Sequence, residues 1–489
     1  MQFFSTRDTN RKVTSSEAIA QGLSDEGGLF VPESFPQVDV RALCELDYPA
    51  LAAAVIREYL TDYSPEFLAQ AARTTYGEAF GGKAGYLAPV EGDTYALELW
   101  HGPTCAFKDY ALQLMPRLLV EAKKNLGRTE KTLILVATSG DTGKAALEGF
   151  KDVAGTEMIV FYPENGVSPM QKRQMNTQEG ENVCVCAIHG NFDDAQTGVK
   201  KIFTDPALKA ELAQHNKMFS SANSINWGRL LPQIVYYFSA YLDLVNAKKI
   251  KMGDAINVVV PTGNFGNILA SYYAKRMGLP VHKFICASNS NNVLTDFIRT
   301  GTYDKKRAFY TTISPSMDIL VSSNLERLLY LASGGDAKMV AEKMQELDGQ
   351  GWYQIGDTLL KKIQKVFLCG CCDDTMTSET IKTVWERDKY LLDPHTAVAW
   401  AVAEQHKAVL CGQTVVLSTA SPYKFAPAVL AALGQKVPDD AFAAMAKLQA
   451  LTGVPVPTTL AELQTLPVLH HDCIEVSEMA DYVRRKMEG

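Results

Sequence analysis

The sequence lacks any apolar run long enough to span a bilayer, and Met1–Lys12 has no apolar core. A membrane-spanning helix needs about 20 consecutive apolar residues, and a secretory signal needs an apolar stretch near its start. Basic residues are not in excess either, since 48 Lys and Arg stand against 55 Asp and Glu, for a formal net charge of −7. We therefore expect a cytoplasmic protein that binds neither membranes nor nucleic acid.

Cysteine is sparse, with 10 among 489 residues, which is too few for a disulfide scaffold. Cys369 and Cys372 form one Cys-x-x-Cys unit, but a zinc site usually pairs two such units at a set spacing, and no second one follows. We expect reduced thiols and no metal site, and the segment Cys369–Asp374 has no assigned role.

The composition is that of a globular protein, with 47% hydrophobic and 21% charged residues. A chain of this length exceeds what one compact core usually holds, so two or three domains are expected. Up to about Val90 the pattern is mainly helical, because Pro49–Leu60 and Glu66–Tyr76 carry apolar residues at helical spacing.

Beyond that point, short apolar runs rich in β-branched residues alternate with helical patterns. Because these runs are continuously apolar, they predict strands that are covered on both faces, and hence α/β layers with a largely parallel sheet. Ligands of such folds bind at the carboxyl ends of the strands. The predicted strands are Leu133–Ala137, Met158–Tyr162, Val183–Ile188, Ile256–Val260, Lys283–Ala287 and Val415–Ser418.

One short loop, His101–Asp109, sets Lys108 among small and polar residues just before the apolar helical pattern Tyr110–Leu119. This is a plausible setting for a lysine that forms a Schiff base with pyridoxal phosphate (PLP). The alternative is that Lys108 is an ordinary surface cation.

A second loop, Thr138–Gly143, joins a predicted strand to the predicted helix Lys144–Phe150. Glycines and hydroxyl side chains at a helix N-terminus leave backbone N–H groups free to meet an anion. A plain strand-to-helix turn favours the same residue types, so that reading stays open.

A third loop, Gly263–Asn267, lies between a predicted strand and the apolar helical pattern Ile268–Met277. Its glycines allow the backbone to approach a phosphate closely. It matches neither the dinucleotide fingerprint nor the nucleotide P-loop. The alternative is a left-handed turn that simply begins a helix.

Two further positions complete the pattern. Asn223–Arg229 opens a helical pattern that runs through Phe238, and the planar guanidinium of Arg229 suits a phosphate, although it could equally lie on the surface or pair with another helix. Thr419 follows the last predicted strand. If the PLP ring lay beside it, the neutral hydroxyl of Thr419 would leave the pyridine nitrogen uncharged. The alternative is that Thr419 merely ends the strand.

Together these loops resemble those of the threonine synthases, in the longer form found in many bacteria and fungi. The resemblance covers nearly the whole chain, and it begins with Ser5-Thr6-Arg7 and Gly22–Pro32. It implies the PLP-dependent fold type II, which is tryptophan synthase β-like. It also implies an N-terminal, mainly helical unit (1–93) and a catalytic region (94–489) of two α/β lobes, the smaller and mobile one at about 110–215.

The resemblance further implies conversion of O-phospho-L-homoserine and water to L-threonine and phosphate, the last step of threonine biosynthesis, in a monomer or weak homodimer. Lys108 would be the Schiff-base lysine, and Thr419 would face the pyridine nitrogen. Ser139 would bind the substrate carboxylate. The cofactor phosphate would be held by Gly263, Asn264, Phe265, Gly266 and Asn267. The substrate phosphate would be held by Thr138, Thr142, Asn223, Ser224 and Arg229.

The sequence departs from the family beside the proposed ring contact, where Ser421 and Tyr423 replace the His and Ala that are often found. Two other functions remain open at this point. One is a phospholyase or dehydratase on the same framework, which would release 2-oxobutyrate and ammonia. The other is a catalytically silent relative with a regulatory or scaffold role, against which the presence of Lys108 and both phosphate loops argues.

Overall fold

The computed structural model describes residues 1–487. The strands are β1 Phe3–Ser5, β2 Phe30–Pro32, β3 Tyr86–Glu91, β4 Thr94–Glu98, β5 Lys131–Ala137, β6 Thr156–Pro163, β7 Val183–His189, β8 Lys217–Ser220, β9 Ile256–Pro261, β10 Val281–Ser288, β11 Thr302–Asp304, β12 Trp352–Gln354, β13 Phe367–Cys371, β14 Thr414–Ser418 and β15 Asp472–Glu475. The first helices are α1 Ser15–Gln21, α2 Tyr48–Ile56, α3 Pro65–Thr75, α4 Asp109–Leu112, α5 Met115–Asn125, α6 Asp141–Phe150, α7 Pro169–Asn176, α8 Phe192–Thr204, α9 Pro206–Gln214, α10 Trp227–Leu230 and α11 Pro232–Asn246. The remaining helices are α12 Gly266–Arg276, α13 Val293–Thr300, α14 Leu325–Ser333, α15 Ala337–Gln350, α16 Asp357–Gln364, α17 Asp374–Asp388, α18 Pro394–His406, α19 Ala426–Ala432, α20 Ala441–Thr452, α21 Thr458–Ala461 and α22 Met479–Met487.

Two parallel sheets organise the molecule. The larger sheet has the order β13-β10-β9-β14-β4-β3, with only β3 antiparallel to its neighbour, and the smaller has the order β15-β7-β6-β5-β8. The central strands β9 and β14 are buried along their whole length because helices cover both faces. The α/β fold class and all six strands predicted from the sequence are thereby confirmed.

Two predicted helices are interrupted, and a proline explains each break. The pattern Tyr110–Leu119 divides into α4 and α5, because Pro116 lies in the first turn of α5 and has no N–H to continue a preceding helix. The pattern that leads to Phe238 divides into α10 and α11 at Pro232 for the same reason. Predicting one continuous helix in each place was wrong.

The smaller sheet collects strands from distant parts of the chain. Its β15 pairs in parallel with β7, from Asp472 opposite Cys186 to Glu475 opposite His189, and α22 packs against α8. On the other side of the sheet, β8 pairs with β5. Two strands of this sheet therefore lie outside 110–215. The predicted limits of the N-terminal unit (1–93), the catalytic region (94–489) and its smaller lobe (about 110–215) stay a prediction.

The first residues of the chain are fixed to helix α14 by buried charge. Glu326 accepts two hydrogen bonds from the Arg7 guanidinium, at 2.9 Å to Nε and 2.8 Å to Nη2, and another from the Thr6 hydroxyl. The next residue, Arg327, donates from Nε to the carbonyl oxygen of Phe30 at 3.0 Å. These contacts join β1 and β2 to the rest of the protein through two adjacent residues of one helix.

The cysteines form no metal cluster within residues 1–487, where no three His, Cys, Asp or Glu side chains are arranged to hold an ion. Cys369 donates to the carbonyl oxygen of Thr295 at 3.5 Å, and the Cys372 sulfur lies 3.3 Å from the Thr377 hydroxyl. No helix in this described part combines the length and the apolar content needed to cross a membrane.

We predict that Arg7→Met lowers the free energy of unfolding by about 2–3 kcal/mol, because Glu326 would stay buried without its cation. The measurement is urea denaturation followed by tryptophan fluorescence. Arg11→Met is the matched control, because Arg11 pairs with Asp25 at 2.9 Å on the surface, where ion pairs contribute little. Equal effects of the two substitutions would contradict the role assigned to the buried pair.

Candidate active site

The carboxyl ends of strands from both sheets meet around Lys108. The backbone N–H of Phe107 donates to the carbonyl oxygen of Thr419 at 2.8 Å, and Ala106 forms an isolated bridge with Ala420. The loop that carries Lys108 is therefore fixed directly to the end of β14, in the larger sheet.

The loop His101–Asp109, called here the lysine loop, is shaped by the buried carboxylate of Asp109. This carboxylate accepts hydrogen bonds from the Thr104 N–H at 2.9 Å, the Thr104 hydroxyl at 2.8 Å and the Gln113 side chain at 3.0 Å. A Cβ atom on Gly102 would lie 2.6 Å from an Asp109 oxygen, so only glycine fits there. Burial raises the pKa of Asp109 to about 6. These contacts hold Lys108 in place where α4 begins.

Among the described residues, no carboxylate lies within 4 Å of the Lys108 Nζ, which lies 4.4 Å from the centroid of the Phe107 ring. Burial and the nearby positive charge of Arg229 lower the pKa of Lys108 to about 7, against an opposing effect of Asp141. An amine with this pKa is largely neutral just above pH 7, so it can act as a nucleophile or as a base.

Arg229 is a buried cation that forms no ion pair with any of the residues 1–487. Its side chain is 2% exposed, one Nη donates to the carbonyl oxygen of Ala222, and Nε has no hydrogen-bond partner within residues 1–487. Burial lowers the pKa of Arg229 to about 9. A buried, incompletely paired guanidinium costs free energy in the absence of an anion. The arrangement therefore suits a phosphate or carboxylate group.

The loop Thr138–Gly143, called here the substrate loop, turns sharply into α6. Gly140 has a φ of +124°, and a Cβ there would lie 2.3 Å from the Gln171 side chain. The Thr138 hydroxyl oxygen accepts from the N–H groups of Gly140 at 3.0 Å and Gly143 at 2.8 Å. Thr138 thus shapes the loop, while Ser139 and Thr142 are partly exposed.

The loop Gly263–Asn267 turns into α12 through Phe265, whose φ is +63°. The Asn267 side chain donates to the carbonyl oxygen of Pro261 at 3.0 Å and accepts from the N–H of Ile268 at 2.9 Å. Asn267 therefore holds the loop together with its side chain. Gly263 and Asn264 are the partly exposed members of the loop.

This loop lies against the segment Asn223–Arg229. A Cβ on Gly266 would be 3.3 Å from the Cβ of Ser224, and Asn324 joins both segments, donating from its side chain to the Ser224 hydroxyl at 3.0 Å and from its N–H to the Asn264 carbonyl at 3.1 Å. Asn223 is partly exposed beside them. The two phosphate-binding segments proposed from the sequence are neighbours.

The departures from the family pattern lie beside Thr419. The Ser421 side chain accepts from the N–H of Tyr423, and the Tyr423 hydroxyl donates to the carbonyl oxygen of Val454. Tyr423 is thus committed to packing near the end of α20. Thr419 is buried, and its N–H donates to the Thr396 hydroxyl at 3.3 Å.

Two residues of this region, Lys424 and Asp141, received no role from the sequence. Lys424 is buried and lies 2.6 Å from the carboxylate of Asp141, the first residue of α6. Lys424 could have been noticed as a single lysine directly after the Ser-Pro-Tyr that follows a core strand. No sequence signal points to its partner.

The residues present fit pyridoxal phosphate. Its aldehyde requires an amine that is neutral near physiological pH, and Lys108 is such an amine. Its phosphate, and any second phosphate on a substrate, requires cations and free N–H groups. The unpartnered Nε of buried Arg229 and the N-termini of α6 and α12 offer both.

Comparison with known families gives three matches in chain order. Residues 2–76 match the threonine synthase N terminus, residues 87–347 match the pyridoxal-phosphate dependent enzyme family, and residues 396–468 match the threonine synthase C-terminal family.

Individual relatives agree with the family matches. The chain is 43% identical over 455 residues to human threonine synthase-like 1, covering 88% of this chain but only 60% of that longer protein. It is 40% identical over 465 residues to threonine synthase of Saccharomyces cerevisiae, covering 88% of each chain. The crystal structure of PLP-bound threonine synthase from Brucella melitensis superposes with a TM-score of 0.88 at 37% identity, covering all of both chains. The chain therefore belongs to the threonine synthase family of pyridoxal-phosphate dependent enzymes.

Proposed function

We propose that the protein converts O-phospho-L-homoserine and water to L-threonine and phosphate. The observation that carries this proposal is a pair of cations, half-buried Lys108 and buried Arg229, neither of which has a carboxylate within ion-pair distance among residues 1–487. Such a site is complementary to a substrate with two groups. Its amino group would replace that of Lys108 on PLP, and its phosphate would bind the Arg229 guanidinium. In threonine synthases this reaction is the last step of threonine biosynthesis, and we propose the same place for it here.

PLP, when bound, would withdraw electrons from the bond between the substrate's Cα and its hydrogen. The remaining work falls to this chain. The neutral Lys108 amine would accept the Cα proton, and a second proton would leave Cβ. The C–O bond at Cγ then breaks to release phosphate, and Cγ gains a proton. A water molecule then gives its hydroxyl to Cβ and its remaining proton to a base, and a proton returns to Cα to complete L-threonine. Lys108 and the departing phosphate are both candidates for the Cβ base.

Binding roles are proposed by position in the family. Ser139 would bind the substrate carboxylate, and Thr419 would face the pyridine nitrogen. The cofactor phosphate would be bound by Gly263, Asn264, Phe265, Gly266 and Asn267, mainly through backbone N–H groups, since the Asn267 side chain already serves the loop. The substrate phosphate would be bound by Thr138, Thr142, Asn223, Ser224 and Arg229.

Water must add only after phosphate has left, so the site has to close around the substrate. We place this motion in the smaller lobe, about residues 110–215, which carries the substrate loop, against the rest of the catalytic region 94–489. The mainly helical unit 1–93 would stay with the larger lobe, because Arg7 and Thr6 hold Glu326 there. We further propose that the enzyme is cytoplasmic and that it is a monomer or a weak homodimer.

The deciding experiment incubates the purified, PLP-loaded protein with O-phospho-L-homoserine and measures phosphate, threonine and 2-oxobutyrate together. Equal release of phosphate and threonine is the expected result. Phosphate with 2-oxobutyrate and ammonia would instead make the protein a lyase on the same fold. No phosphate from PLP-loaded protein would exclude this substrate.

We predict that Lys108→Ala abolishes turnover and the visible absorbance of lysine-linked PLP, because no other amine occupies its position. The measurements are threonine formation, the visible absorption spectrum before reduction, and the PLP that stays covalently bound after reduction with borohydride, which fixes a lysine-linked cofactor. Lys83→Ala is the control, since Lys83 is exposed over the ring of Tyr86. Covalent PLP on the Lys108→Ala protein would show that another lysine carries the cofactor.

Arg229→Ala is predicted to weaken phosphohomoserine binding by roughly 2–5 kcal/mol, as for a buried charged contact. Because Arg229 is buried without an anion, the same substitution should leave the melting temperature of the ligand-free protein unchanged or raise it. Inorganic phosphate should raise the melting temperature of wild type more than that of the variant. Arg117→Ala, at an exposed arginine of α5, is the control. Unchanged substrate affinity would remove Arg229 from the site.

A further inference from the structure

One buried ammonium group touches both active-site loops. Nζ of Lys424 lies 2.6 Å from Oδ1 of Asp141, the first residue of α6 in the substrate loop, and donates to the carbonyl oxygen of Thr104 in the lysine loop at 3.1 Å. Lys424 itself follows β14 of the larger sheet, whereas α6 follows β5 of the smaller one. A single side chain thus joins elements of both sheets next to Lys108.

The position of Asp141 is fixed from several sides. Besides Lys424, its carboxylate accepts from the Gln171 side chain at 2.9 Å and from the Ser316 hydroxyl at 3.3 Å. The Ser316 N–H donates to Nε2 of His395 at 3.1 Å, and the other ring nitrogen of His395 lies 2.8 Å from Asp393. Asp141 is the one charged residue of the substrate loop, and three side chains hold its carboxylate.

Asp141 also acts on Lys108. Its negative charge raises the pKa of the Lys108 amine, whereas burial and Arg229 lower that pKa. Burial by itself would raise the pKa of Asp141, but the Lys424 ammonium, together with Gln171 and His395, lowers it to about 2. The other titratable groups that face Lys424 are Asp109 and Cys105. Proton affinity at Lys108 thus depends on how completely Asp141 is neutralised by its other partners.

We propose that Lys424 is a positioning residue for the reaction under Proposed function, holding the substrate loop against the lysine loop and keeping the Asp141 carboxylate engaged so that it does not hold a proton on Lys108. Lys424 contacts Thr104 and Asp141 and acts on the chemistry only through them. The proposal rests on the assignment of Lys108 as the PLP-linked lysine.

The discriminating pair of substitutions is Lys424→Met and Asp141→Asn. In Lys424→Met, Gln171 and Ser316 still donate to the Asp141 carboxylate, so Asp141 should stay ionised near neutral pH and act on Lys108 without competition. Lys108 should therefore hold its proton to higher pH. In Asp141→Asn, the attraction is removed, so Lys108 should lose its proton at lower pH. If Lys424 and Asp141 only supported the fold, both substitutions would lower the stability of the protein. They would not shift the pH at which Lys108 loses its proton in opposite directions.

The readout is the pH at which the PLP-loaded protein loses the absorbance of lysine-linked cofactor as it is titrated toward acid. A lysine that protonates more easily releases the cofactor at higher pH. We expect the midpoint to move up by about one pH unit in Lys424→Met, as for one unopposed charge nearby, and down in Asp141→Asn. The double variant, which buries two neutral side chains, should fall between the two and should fold even if Lys424→Met is unstable.

Steady-state kinetics with O-phospho-L-homoserine provide the second readout. We expect kcat/KM of Lys424→Met to fall roughly 10²-fold, because the substrate loop shifts relative to Lys108. The double variant should recover part of that loss. Lys382→Met is the matched control, since Lys382 lies on the surface 3.9 Å from Glu386, and both readouts should equal those of wild type.

Midpoints that stay at the wild-type value, or that move in the same direction in both single variants, would overturn the proposal. So would a double variant whose kcat/KM is lower than that of either single variant. The acid titration uses no substrate, so it tests Lys424 even if wild type makes no threonine. Failure of the proposed function would appear separately, as the absence of threonine from the wild-type enzyme.

Discussion

The structure is organised around two positive charges, half-buried Lys108 and buried Arg229, for which residues 1–487 supply no carboxylate within ion-pair distance. Burial of an ammonium or a guanidinium is costly, and proteins normally meet the cost with a carboxylate. At Lys108 and Arg229 it is instead borne by the rest of the fold. The nearby carboxylates are committed elsewhere, Asp109 to the lysine loop and Asp141 to Lys424. An incoming anion would therefore meet cations that nothing inside the protein has neutralised.

That arrangement requires loops that do not relax. A flexible loop would let Lys108 reach a carboxylate or solvent, and its pKa would return toward the usual value. The rigidity comes from local contacts that side chains make with backbone, such as Thr138 with two N–H groups and Asn267 with both ends of its own turn. Several residues at the site thus serve the shape of a loop, and the open backbone N–H groups and partly exposed hydroxyls are left for ligands.

Sequence patterns predicted the fold where the physical signal was local. All six core strands appeared as continuous apolar runs because helices cover both faces of the sheets, and the loops at their carboxyl ends followed from the geometry of parallel strands. Helix limits failed at Pro116 and Pro232, where apolar spacing was given more weight than the missing N–H. The site residues were found through glycine and hydroxyl patterns next to strands, together with a family resemblance.

Other features depend on residues far apart in sequence and had no local signature. The ion pair of Lys424 with Asp141 joins two sheets, and neither residue type indicates a buried partner by itself. Strand β15 is only four residues long and mostly exposed, so nothing in its composition indicates a strand. Similarly, the burial of Arg229 depends on its surroundings, which are contributed by several elements. Such features require the three-dimensional arrangement.

The pairing of β15 with β7 has a consequence for how the protein comes to be folded in the cell. Residues Val183–His189 emerge from the ribosome long before Asp472–Glu475, and four strands of the larger sheet, β9, β10, β13 and β14, are synthesised in between. Until then, β7 is an edge with unpaired N–H and C=O groups, of the kind that attracts strands from other chains. The nascent protein thus carries an open sheet edge until β15 has been made, and that strand then covers it.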